Sequence, residues 1–237
     1  MPSMSWPTHQ QTKTKKILET LIRLFRERHP IPNDSQLANV KPQLDNYDFP
    51  RHILTDQLLT ANLRPERLAA LSQALLKTGE ERNGIRIAYF APWQDPHVVR
   101  ENSVDFVFSQ AVLEYVDDLP GTYKTLYQWL KPGGYSSHQI DFKCDGLMEE
   151  WNGHWACSDF LWAMIRGRRP YFLNRQPHSV HRKIMQDCGF QIVYDKPAET
   201  PSRIAKNRLA RRFRTMPDND LITSGAFMQA VKKGGRE

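Results

Sequence analysis

The sequence predicts an α/β fold built on a doubly wound, largely parallel sheet. Helical and extended patterns alternate along most of its length, which is the pattern of strands crossed over by helices. Segment 104–109, Val-Asp-Phe-Val-Phe-Ser, is almost unbroken in apolar character, as expected of a strand buried on both faces of a parallel sheet. A Lys131-Pro132-Gly133-Gly134 turn then separates a helical run from a second extended segment that ends at Asp141.

The elements follow in order. Residues 13–28 carry Ile17, Leu18, Leu21, Ile22, Leu24 and Phe25 at helical spacing, with Lys and Arg between them, so an amphipathic helix is expected. Pro30 and Pro32 end it. A short edge strand is expected over 39–44, with Pro42 confining it to an edge. Residues 65–77 form a second helix, opened by Pro65, closed before Gly79 and lined by Leu68, Leu71, Leu75 and Leu76. Strands are expected at 85–90, 104–109 and 135–141, with a helix at 119–130. The aromatic stretch 146–174, holding Trp151, Trp155, Trp162, Tyr171 and Phe172, is an inserted helical segment. The last helix spans 179–188, and strands at 190–196 and 226–232 form an antiparallel pair, since no crossover-helix pattern links them.

At 237 residues the chain has room for one α/β domain and a small insertion. Its 40% hydrophobic and 25% charged residues exclude a disordered polymer. No apolar run approaches the ~20 residues that cross a bilayer, and residues 1–6 lack the basic start and apolar core of a signal peptide. Cys144, Cys157 and Cys188 are odd in number and irregular in spacing, so free thiols and a reducing, cytoplasmic location are expected. With 33 Lys and Arg against 26 Asp and Glu the net charge is +7. Six cations lie within 203–214; a solvated face is the expected role, and nucleic acid or an anionic lipid surface the rival one.

Residues 104–141 resemble the fourth and fifth strands of class I S-adenosylmethionine (SAM) dependent methyltransferases, with the Leu130-Lys-Pro-Gly-Gly134 turn between them. Ser109-Gln-Ala-Val-Leu-Glu-Tyr-Val116 and Ser137-His-Gln-Ile-Asp-Phe142 are similar to motifs of a bacterial subset, and so are Arg212-Phe213-Arg214, Asp218, Asp220-Leu221 and Ser224-Gly225. The resemblance implies a Rossmann-like sheet with an antiparallel last strand, and SAM as cofactor. No Gly-x-Gly-x-Gly loop stands upstream: Ile31-Pro32-Asn33-Asp34-Ser35 has no glycine. The fold is therefore expected to be N-terminally incomplete or divergent, with a divergent helical segment at 1–43 and a methyltransferase-like domain at 44–237.

A doubly wound sheet binds its ligands at the carboxyl ends of its strands. On the family pattern, Phe90, Ala91 and Trp93 are expected near the adenine, Ser109, Gln110 and Val112 under the methionine part, and Asp45 on the ribose hydroxyls. His138 and Asp141 are the expected catalytic pair, His138 having the ordinary pKa better suited to a base. Phe90 and Val112 also suit a core, Asp45 a turn, and His138 a strand histidine bonded to a neighbour. Glu114-Tyr115 stands where the family often has Glu-His, and no base is assigned to it. Cys144, His154, Cys157 and His138 match no zinc spacing, so no metal is expected. The resemblance implies transfer of a methyl group to an unidentified acceptor, a small molecule or glycan rather than nucleic acid. The rival reading is a catalytically inactive homologue that acts by binding. Loss of the first strand would leave the edge of 104–109 bare or paired with a substitute strand, and a bare edge makes low stability or self-association the expectation.

Overall fold

The computed structural model describes residues 8–33, 35–36, 42–90 and 95–234. The chain divides into two compact units, Met1–Val98 and Val99–Glu237, a boundary farther along than the one expected near residue 43.

In the first unit, α1 (Thr8–Arg26) begins five residues earlier than its apolar periodicity suggests. It is followed by α2 (Asp56–Asn62), α3 (Pro65–Leu76) and the paired β1 (Glu81–Arg82) and β2 (Ile85–Arg86). The Thr55 hydroxyl caps α2 by accepting from the Leu58 amide. Phe25 meets Phe49 edge to face at 6.2 Å, and Arg28 pairs with Asp56 at 2.5 Å. Among the described residues of this unit only Leu59, Ala70 and Ala74 are buried. The expected strand at 85–90 is not a sheet strand: only Ile85–Arg86 is paired, antiparallel to Glu81–Arg82. Asn83 and Gly84 both have positive φ, at 51° and 73°, and make the two-residue turn that such a hairpin needs. Residues 42–44 are not extended, and the rest of the edge strand expected at 39–44 lies outside the described residues.

The second unit holds β3 (Val104–Gln110), α4 (Leu119–Trp129), β4 (Leu130–Asp141), α5 (Asp159–Arg166), α6 (His178–Asp187), β5 (Phe190–Glu199), α7 (Asp218–Ile222) and β6 (Thr223–Lys232). The sheet order is β3-β4-β6-β5. β3 and β4 are parallel, with α4 crossing between them, while β6 is antiparallel to both its neighbours. The Asp118 carboxylate caps α4 by accepting from the Gly121 amide. Tyr123 of α4 and His181 and Met185 of α6 are fully buried, as are His138, Met228 and Ala230 on the strands. These side chains form the core between the helices and one sheet face.

The register explains the Pro-Gly-Gly turn. Val104 pairs with Leu130, but Phe106 pairs with Tyr135, so residues 131–134 bulge out of the ladder. Gly133 has φ +80°. A Cβ on Gly134 would meet the Lys131 carbonyl oxygen at 2.9 Å and that of Val104 at 3.1 Å. Gly134→Ala is thus expected to destabilise the protein by about 1–3 kcal/mol, read as a lower urea midpoint with unchanged slope.

β3 is an edge strand, as loss of the first strand implies, and among the described residues nothing pairs with its outer side. It departs from expectation in not being buried on both faces: Phe106 and Phe108 are 57% and 61% exposed. Tyr135 and Tyr194 are exposed on the same sheet face, opposite α4 and α6. The aromatic stretch, by contrast, packs inward as an insertion between β4 and α6. Trp155 is fully buried and donates its ring N–H to the Arg175 carbonyl, and Trp162 packs with Cys144, Cys157 and Leu173.

Candidate active site

The carboxyl ends of β3 and β4 make a rim within the second unit. β3 ends at Gln110, and Ala111 turns the chain sharply with φ +50° while its amide donates to the Gln139 carbonyl at 3.0 Å. A non-glycine residue in that region carries strain that the surrounding structure must hold. The chain then makes a single 3₁₀ turn, Leu113–Tyr115. Leu113 points into the core at 2% exposure, and Glu114 beside it is only 4% exposed.

Glu114 is the chemically unusual group here. Its Oε2 is buried with no hydrogen-bond partner. Burial pushes its pKa up to about 7, and the nearby Asp141 and Asp145 carboxylates push the same way, against hydrogen bonds from the Glu114 and Asp141 backbone. A carboxyl that changes charge near neutrality, in an acidic rim, is poised to accept or release a proton.

Asn174 fixes the turn that carries it. Its Nδ2 donates to the Leu113 carbonyl at 2.7 Å and the Val116 carbonyl at 3.0 Å, and its amide donates to the Glu114 carbonyl at 2.8 Å. Beside it, the buried Arg175 guanidinium donates to the His154 and Cys157 carbonyls and to Asp159. Asn174→Ala leaves two carbonyls without their side-chain donor, so a loss of about 2–3 kcal/mol in stability is expected in chemical denaturation. Tyr115 donates its hydroxyl to Asp145, and burial together with that carboxylate raises its pKa.

Of the residues singled out in the sequence, Gln110 and Val112 are exposed at the rim. Asp141 closes β4 there, accepting from the Lys143 amide at 2.9 Å and pairing with its ammonium at 3.1 Å. Ser109 and His138 come together, Oγ to Nδ1 at 2.8 Å, on the helix-facing side of the sheet. His138 is fully buried there, edge-on to Tyr123 at 5.9 Å, and burial lowers its pKa to about 4. It is therefore neutral at physiological pH and shut off from solvent. Asp45 and Phe90 are exposed residues of the first unit, while Ala91 and Trp93 lie outside the described residues. From the sequence no base is assigned to Glu114, and Asn174 is not singled out. The place of Glu114, four residues beyond the end of β3, marks the rim but not its burial, and no signal marks Asn174.

Residues 60–137, about a third of the chain, match the family model described as a methyltransferase domain. No curated protein matches. Among solved structures, a SAM-dependent methyltransferase of Methanosarcina mazei is 18% identical with a TM-score of 0.42, covering 73% of this chain and 80% of that one. A SAM-dependent methyltransferase of Mesorhizobium loti is 15% identical with a TM-score of 0.40, covering 68% and 76%. A Haemonchus contortus phosphoethanolamine N-methyltransferase, solved with S-adenosylhomocysteine, is 17% identical with a TM-score of 0.33, covering 57% of this chain and 35% of that one. Likenesses this slight say nothing about substrate or partner. The family match covers the whole of β3 and α4 and reaches into β4, the elements that build the rim, and over those residues the chain is similar to a methyltransferase domain.

Proposed function

We propose that the chain is a SAM-dependent methyltransferase in which Glu114 takes up the proton that the methyl acceptor loses. The observation that carries this is the buried Glu114 carboxyl, with an unpartnered oxygen and a pKa raised to about 7, at the end of the strand where the family match lies.

The rim suits the cofactor by charge. SAM would supply a methyl group on a sulfonium cation: the acceptor's lone pair would bond to the methyl carbon as the carbon–sulfur bond breaks in line, its electron pair staying on the sulfur. The rim carboxylates Glu114, Asp141 and Asp145 attract a cation and have less hold on the neutral sulfide left behind. Gln110 and Val112, exposed at the rim, would line the methionine part. Ser109 gives its hydroxyl to His138 and takes a supporting place. Asp45, Phe90, Ala91 and Trp93 are proposed for the ribose and adenine on the family pattern alone. The Glu114 carboxylate then needs only to stand within hydrogen-bond reach of an acceptor N–H or O–H. Asp141 would keep that carboxyl's pKa high by charge repulsion, and buried His138 would hold the strand end in place through Ser109.

The test has two readouts. S-adenosylhomocysteine at millimolar concentration should raise the melting temperature of the wild-type chain. Glu114→Gln should keep that shift while methyl transfer to a screened set of small-molecule and glycan acceptors falls by about 10²–10⁴. Absence of any shift in the wild type refutes SAM use; undiminished transfer by the variant refutes the role of Glu114.

A further inference from the structure

Helix α5 has an outer face that the insertion core does not use. Trp162 and Ile165 turn inward, against Cys157 and Leu173. Phe160 and Met164, four residues apart and so on one face, are 76% and 64% exposed, and Leu161 beside them is 45% exposed. Three large apolar side chains exposed on one eight-residue helix mark an interaction surface.

Arginines stand at both ends of this face. Gly167, with φ +56°, ends the helix, and Arg168 and Arg169 follow it on the surface, Arg169 stacked over Phe172 at 4.3 Å. At the other end Arg212 lies 3.2 Å from Asp159, the first helical residue. The acids nearby are already occupied: Asp159 pairs with Arg175 and Arg212, and Asp117 pairs with Arg166. The charge left for a partner is therefore positive.

We propose that the outer face of α5, with the arginines at its two ends, docks on an anionic lipid bilayer. Apolar side chains between cationic ends are what a bilayer surface accepts: the former enter the headgroup boundary and the latter meet lipid phosphates. A second copy of the chain fits less well. An eight-residue helix is ~12 Å long and ~10 Å across, so its face of about 120 Å² is far short of the ~800 Å² that each partner buries in a stable interface. Nucleic acid would use the arginines but would leave Phe160 and Met164 in water.

The experiment is co-sedimentation of the whole chain with vesicles of phosphatidylcholine, alone or mixed with phosphatidylglycerol. Binding is expected to the mixed vesicles only, and it should weaken with added salt. The double variant Phe160→Ser/Met164→Ser should lose at least about tenfold in binding, and Arg168→Glu about tenfold. Each should keep the wild-type melting temperature, since the altered side chains are exposed. The proposal falls if the wild type ignores phosphatidylglycerol or if the double variant binds as well as the wild type. It falls equally if the double variant turns a dimer into a monomer, or if an RNA oligonucleotide binds with the same dependence on Arg168 and none on Phe160 and Met164.

Discussion

Glu114→Gln is expected to stabilise the protein at pH 8 by about 3 kcal/mol while it removes the proposed base. The sign follows from the raised pKa. Between the ordinary value of 4.5 and about 7 the folded state holds a proton that the unfolded state has lost, so stability falls as pH rises through that window. Above pH 7 the folded chain carries a buried carboxylate, and the full cost remains. Raising the carboxyl from 4.5 to about 7 corresponds to roughly 3 kcal/mol. Glutamine has nearly the same shape and stays neutral, so it avoids that cost. The gain should vanish at pH 4.5, where Glu114 is protonated in the folded state. Urea unfolding of both proteins at the two pH values reads this directly, and equal stabilities at pH 8 would place Glu114 in contact with water. A site that opposes stability is common where a group is held ready for chemistry.

The wild-type chain should unfold in mild acid. Burial depresses His138 to about 4, and His154 and His181 to about 3; Arg175 adds to the effect on His154, and His178 and His138 to that on His181. These histidines are neutral in the folded state and take up protons readily when unfolded. Their contribution is complete above the unfolded value of 6.5 and is lost as pH falls towards the folded values. By pH 4.5 each removes on the order of 2–3 kcal/mol, and protonation of Glu114 returns about 3 kcal/mol of the total. The net loss, about 5 kcal/mol, is comparable to the whole stability of many domains. His181 matters most for the test, since its Nδ1 lies 3.0 Å from the Tyr123 hydroxyl and its Nε2 has no partner. His181→Gln should move the acid midpoint to lower pH. Ordinary titration of all three imidazoles near 6.5 in the native state would overturn the prediction.

The β3–α4–β4 unit was legible because its signals are local: an apolar strand, a helical period and a Pro-Gly-Gly turn that the bulge at 131–134 requires. The antiparallel pairing of β5 and β6 was legible for a similar reason, namely the lack of a crossover helix between them. The hairpin at residues 81–86 was legible in principle, because Asn83-Gly84 is a strong two-residue turn signal, but the apolar run after it read as a longer strand. His138 yields to strand parity. It shares a face with Ser136 and Ile140, both buried, so an inward position follows from alternation alone. Glu114 does not yield to any local rule. Its burial depends on Asn174, sixty residues farther on, and its pKa depends on that burial. The bare outer face of β3 was likewise not readable from its composition, because Phe106 and Phe108 look like core residues whichever way they point.

The position of β6 has a consequence for how this sheet can assemble. It follows every other strand in the chain, yet it sits inside the sheet, bonded to β4 on one side and β5 on the other. Its partners in β4 lie about ninety residues earlier, as in the pairing of Ser136 with Ala230. Closing so long a loop is slow, and β4 and β5 have no direct ladder between them to wait in. During synthesis, β3, α4 and β4 can form early, but β4 then keeps one open edge until the interior strand arrives. For that interval the edge of β4 that β6 later covers stands open, and a chaperone or another nascent chain could pair with it.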